Sequence, residues 1–115
     1  MQESDIKHHI KNFSELLDEI NSIGDKRKQL WREIYENAIT DRQTAFGNFS
    51  VLLNICKEQS SEHAIHGRTL ATYLERMSKA NDQLIKLATL VEAAREKSDA
   101  VSSDDIYDQI KRNNK

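Results

Sequence analysis

From Asp25 to about Ser98 the apolar residues return every three or four positions, and a single polar corner interrupts them. Before that corner, Lys57-Glu58-Gln59-Ser60-Ser61, they fall at Leu30, Trp31, Ile34, Tyr35, Ala38, Ala45, Phe46, Phe49, Leu52, Leu53 and Cys56. After it come Leu70, Tyr73, Leu74, Met77, Ala80, Leu84, Ile85, Leu87, Ala88 and Val91. Steps of this size mark one face of an α-helix. The chain has no proline, so it lacks the residue most able to break such a run. Two arms of about 50 Å each, at 1.5 Å rise per residue, joined by a tight corner have to fold back on each other. The expected fold is therefore all-α. A long antiparallel helical hairpin covers 25–98, preceded by an N-terminal helix within 1–24 and followed by a tail, 99–115, with a short helix.

The N-terminal helix is expected over residues 4–23. Ile6, Ile10, Phe13, Leu17 and Ile20 alternate steps of four and three, and Leu16 and Ile23 widen the stripe. Ser4 is the candidate N-cap, with Asp5 in a first turn where negative charge suits the helix dipole. Gly24 is the candidate left-handed C-terminal residue, and Asp25 the cap of the next helix. Ser60 or Ser61 should cap the third helix, whose pattern fades after Ala94. Lys97-Ser98-Asp99-Ala100-Val101-Ser102-Ser103 then reads as a break, and Ser103 as the cap of a short final helix. That helix carries only Ile106, Tyr107 and Ile110 as apolar residues and is marginal alone, so it is expected to dock either on its own hairpin or on a partner protein. Gly47 and Gly67 sit inside helical segments. Each marks either a close approach by a neighbour or a tolerated weak point costing about 1 kcal/mol relative to alanine.

The formal net charge of −2 excludes whole-chain basicity as a route to nucleic acid, so any such contact has to come from a local patch. The candidate patch is Lys26, Arg27, Lys28 and Arg32. Cations at a helix N-terminus work against the dipole, and contacts of this kind position a protein on phosphates without reading sequence. The alternative is a solvated face. The single cysteine, Cys56, has no intrachain partner and lies on the apolar stripe, which fits a buried thiol in a reducing compartment. No run approaches the ~20 apolar residues of a membrane span, and the N-terminus is not signal-like. No membrane association is expected, and a soluble intracellular location is.

Nothing in the chain assembles catalytic chemistry. His63 and His66 share a helical face, but a structural zinc site needs four ligands and no fourth is evident. His8 and His9 are adjacent, so their side chains diverge on a helix. There is no phosphate-cradling loop and no nucleophile beside a base. The expectation is a non-enzymatic protein without cofactor or metal. The two long helices carry apolar residues over more of their circumference than one pairwise seam can cover. The N-terminal helix is too short to cover the remainder, so self-association is expected, with closed cyclic symmetry as the usual way to avoid an open filament. The residues assigned to that interface are Phe46, Phe49, Leu53, Leu70, Tyr73, Leu74, Met77, Leu84, Leu87 and Val91.

Along the third helix, His66, Leu70-Ala71-Thr72-Tyr73, Met77 and Asn81-Asp82-Gln83-Leu84-Ile85-Lys86-Leu87 resemble the central domain of the small terminase subunit of T-even-type tailed bacteriophages. Ile34 to Cys56 looks like the first arm of that family's hairpin, and the likeness covers roughly residues 30–95. Relatives can show a proline-arginine pair before the histidine, where this chain has Ala64-Ile65, and an acidic residue after it, where this chain has Arg68. The resemblance implies a ring-forming homo-oligomer in the host cytoplasm. Such a protein binds double-stranded viral DNA and regulates the large terminase subunit, an ATPase and nuclease, during genome packaging. Lys26 to Arg32 would then serve the DNA, and Ile106, Tyr107 and Ile110 the motor. Two other readings stand beside it on the residues alone: a protein-only helical scaffold or chaperone module, and a ring-forming single-strand-binding recombination mediator. The last has Trp31 and Tyr35 near Arg27 and Arg32 as its only hint, and both aromatics fit a core equally well.

Overall fold

The computed structural model describes residues 3–59 and 61–113; the side chains at 3, 62, 100–109, 112 and 113 lie outside the described residues. Ser60, one of the two cap candidates, falls outside them too, as do the side chains of Ile106 and Tyr107. Described residues form three helices, α1 (Glu3–Asp18), α2 (Asp25–Glu58) and α3 (Ser61–Asn113), and no strand. The molecule is a rod of 83 × 23 × 21 Å, its length close to the ~80 Å that the 53 residues of α3 span at 1.5 Å each.

Helix α1 is shorter than its apolar stripe. It tightens at its end, where Glu19 N–H donates to Leu16 O at 3.3 Å and Ile20 N–H to Leu17 O at 3.0 Å, the three-residue spacing common at helix termini. Ile20 and Ile23 therefore lie in the connection to α2, yet both are buried. The chain can take this inward path because its polar backbone finds partners: Ser22 N–H donates to Ser98 Oγ at 2.8 Å and Ser22 Oγ–H to Ala94 O at 2.7 Å. Ser4, expected as a cap, is already inside α1. Gly24 is not left-handed. At φ −81°, ψ 169° it is the extended N-cap of α2, its carbonyl accepting Lys28 N–H at 3.1 Å, and Asp25 is the first helical residue.

Along the seam between α2 and α3, rising residue numbers on one helix meet falling numbers on the other. Trp31 shares a core cluster with Leu87 and Val91, Arg42 Nη1–H donates to Asn81 Oδ1 at 3.0 Å, and Asn48 shares a groove with Tyr73. Ala38, Ala45 and Ala80 are buried along this seam, and small side chains there let the two backbones approach. The main core is at one end. Leu17, Ile20 and Ile23 from α1 and its connection meet Trp31, Leu87, Val91 and Ala94, with Phe13, Leu16, Ile34 and Tyr35 packed around them. Burying such side chains stabilises by about 1.5–3 kcal/mol each.

The expected break at 97–103 is absent: α3 runs through it without interruption to Asn113, and there is no separate final helix starting at Ser103. The stretch is polar but contains neither glycine nor proline, so nothing forbids helical backbone. Ser98 is buried and serves the α1–α2 connection rather than ending a helix.

Two stability measurements follow. Leu17 is fully buried, so Leu17→Ala should cost about 2–5 kcal/mol in denaturant unfolding at fixed protein concentration. A Cβ added at Gly67 meets nothing within 4 Å, and the residue is helical and exposed. Gly67→Ala should therefore stabilise by about 1 kcal/mol; a loss of stability would show that another molecule packs there.

Candidate functional site

The two long helices leave two unlike sides. On one side α1 lies against α2, held by the Phe13–Tyr35 ring stack at 4.2 Å between centroids and 7° between planes and by the Arg32–Asp18 ion pair. A wedge of about 390 Å³ remains between α1 and the long helices, lined by Phe13, Leu16, Tyr35, Ile39, Leu84 and Ala88 and by the charged Arg42, Glu92 and Arg95. Burial here pushes the Tyr35 phenol above its ordinary value of 10.0, while the nearby Arg42 guanidinium pulls it the other way. On the opposite side a groove of about 360 Å³ runs along the seam. Asp41, Thr44 and Asn48 form one wall, Arg76, Lys79 and Gln83 the other, and Ala45, Tyr73 and Ala80 also line it.

The expected basic patch is only partly available. Lys26 and Arg27 are exposed and Lys28 half-buried. Arg32 donates to Asp18 and so ties α2 to the end of α1, with its Nε buried and unpartnered. Its charge serves the fold. Among the residues assigned to self-association, Leu70, Leu87 and Val91 are 9%, 3% and 4% exposed. They are already buried within one chain and have little surface to give a second copy. Phe49, Leu53, Tyr73, Met77 and Leu84 are half-buried, whereas Phe46 and Leu74 stand 49% and 51% exposed.

Further apolar side chains outside that set are exposed: Leu30, Val51, Ile55, Ile65, Ile85 and Leu90, at 44–66%. Projected at about 100° per residue, Phe46, Leu74 and Ile85 continue the side that carries α1, beyond its reach. Leu30, Val51, Ile55, Ile65 and Leu90 lie on the side of the polar groove, at its two ends. The repeat that separates buried from exposed positions was present in the sequence, but it does not say how far α1 extends. Ile110 is 53% exposed.

Cys56 is buried, at 1%, which agrees with an apolar thiol. No group of three or more histidine, cysteine, aspartate or glutamate side chains is placed to hold a metal ion among the described residues. No helix among them is long and apolar enough to cross a membrane. Comparison with protein-family models, with curated proteins and with solved structures finds no match to this chain.

The raised Tyr35 value sets a pH dependence. The protonated phenol is the form that the folded state favours, so its contribution is intact below pH 10 and is lost as pH rises through the folded-state value. Tyr35→Phe should remove a component ionising above pH 10 from the ultraviolet titration and flatten the loss of stability there. An unchanged titration curve would contradict the placement of this ring.

Proposed function

We propose that the chain is a non-enzymatic, self-assembling helical adaptor. In this reading α2 and α3 form an antiparallel hairpin, copies associate side by side into a ring, and the assembly acts as a small terminase subunit. It binds double-stranded viral DNA and regulates the large terminase motor during packaging in the host cytoplasm. The packaging role rests on the resemblance carried by residues 30–95. The assembly rests on a separate observation, the apolar side chains left exposed on both sides of the rod. Exposed apolar surface on this scale marks an interaction site.

That it occurs on two sides favours one kind of contact. A two-fold dimer needs a single self-complementary patch, whereas two different patches on opposite sides suit a head-to-tail contact, which closes into a ring or continues as a filament. The apolar residues beyond α1 in one copy would then meet those at the corner end of the polar-groove side in the next, Val51, Ile55 and Ile65. A protein-only scaffold shares the apolar argument and differs in having no use for DNA.

Light scattering on the full chain tests the assembly. The expected result is a single species of many copies, and a monomer at all working concentrations removes both ring and packaging role. Phe46→Glu with Leu74→Glu, and separately Val51→Glu with Ile55→Glu, should each reduce the mass to that of one chain while helicity is kept. Loss of assembly from only one of the pairs would point to a two-fold dimer instead.

A further inference from the structure

Five of the cations on α3 lie in one line. Arg68, Arg76, Lys79, Lys86 and Lys97 are all exposed, and at about 100° per residue they fall within a strip no wider than a third of the helix. The remaining positions of that strip between Ser61 and Lys97 are uncharged: Ser61, Ile65, Thr72, Gln83, Leu90 and Ala94. Of the described acidic side chains in the same stretch, Asp82, Glu92 and Glu96 project elsewhere, and Glu75 stands at the strip's edge, paired with Lys79. Arg68 and Lys79, and again Lys86 and Lys97, are eleven residues apart, a spacing that returns to nearly the same azimuth after three turns. The line runs about 43 Å along a straight helix at 1.5 Å per residue. Mixed charge is the norm on a solvated helix face, so segregation of this extent points to a partner of one sign.

We propose that this strip, with the polar groove beside it, is a docking surface for the phosphate backbone of duplex DNA. The partner has to be an extended, rigid polyanion, because the cations are fixed on a rod and recur at intervals of about 5 to 16 Å. Phosphates facing each other across a groove about 12 Å wide match the longer of those intervals. The groove adds hydrogen-bonding side chains, Thr44, Asn48 and Gln83, next to Arg76 and Lys79. Single-strand binders rely on successive aromatic stacking platforms; the strip carries none and the groove beside it is lined by one aromatic residue, Tyr73, so a duplex fits better. Opposing charges are few: Asp41 lines the α2 wall of the groove, and Glu75 pairs with Lys79 at 3.3 Å. The site differs from Lys26 to Arg32, and it rests on the DNA-binding part of the proposed function without depending on the ring.

The test uses the full chain and a fluorescent 30-base-pair duplex of random sequence, with anisotropy read across a salt series. Arg68→Gln, Arg76→Gln, Lys86→Gln and Lys97→Gln combined should weaken binding by at least about tenfold and flatten the salt slope by about three to four. Lys26→Gln, Arg27→Gln and Lys28→Gln combined should leave both near wild type. Arg68→Lys with Arg76→Lys should retain binding, since phosphate contact needs charge more than shape. The opposite ranking of the two glutamine variants overturns the proposal, as does a wild-type chain that ignores the duplex or that binds phosphatidylserine vesicles in its place. The mass of every variant is measured alongside. A stripe variant that loses DNA while keeping its assembly supports the proposal, and one whose lost binding is fully explained by lost assembly overturns it. Wild-type assembly without DNA binding sinks this site and leaves self-association standing.

Discussion

The seam between α2 and α3 is what the rest of the structure depends on, and it is narrow. Two straight helices can bury only a strip of each other, and here much of the strip is alanine: Ala38, Ala45 and Ala80. Small residues draw the backbones together but remove little apolar area from water, at roughly 25 cal/mol per Å². The larger side chains needed for a stable fold have to find cover elsewhere. At one end they find it in α1 and its connection, where Leu17, Ile20 and Ile23 close over Trp31, Leu87 and Val91. Towards the corner no third helix adds to the seam, and Phe46, Val51, Ile55, Ile65 and Leu74 remain in solvent.

Much of this architecture was legible in the residues. Steps of three and four, the polar corner and the missing prolines lead directly to long helices, because all three act locally. The α2–α3 connection falls where polar residues interrupt the stripe, with Glu58 ending one helix and Ser61 starting the next. The failures share a different cause. Gly24 has the freedom to adopt a left-handed conformation, but the chain needs an extended residue ahead of α2 and any permissive residue would serve. The serines after Lys97 suggest a stop because serine favours caps and turns. Whether such a residue ends a helix depends on what it meets, and Ser98 meets Ser22, 76 residues earlier in the chain. Long-range partners of that kind leave no trace in local spacing.

The candidate surfaces show the same division. Contiguous charge, as in Lys26-Arg27-Lys28, is conspicuous in a sequence but is spread around a helix once folded, and Arg32 turns out to be held by Asp18. Charge at intervals of eight, three, seven and eleven looks scattered in the sequence and becomes a line on α3. The signal was available, since the same projection that identifies apolar stripes applies to cations. It was obscured by the near-neutral total, in which the acids on the other sides of α3 cancel the basic strip.

The unequal burial along the rod has a consequence for how such a chain can work. The end fastened by α1 combines a closed apolar cluster with the Ser22 hydrogen bonds and the Phe13–Tyr35 stack. The corner end has exposed apolar side chains and a thin seam, so its local opening free energy should lie well below that of the α1 end. A segment of this kind gains most from contact with a neighbour, because burial there adds to a part of the fold that is weak alone. If copies associate as proposed, the contact would complete the corner half of the α2–α3 pair while the α1 half sets its register.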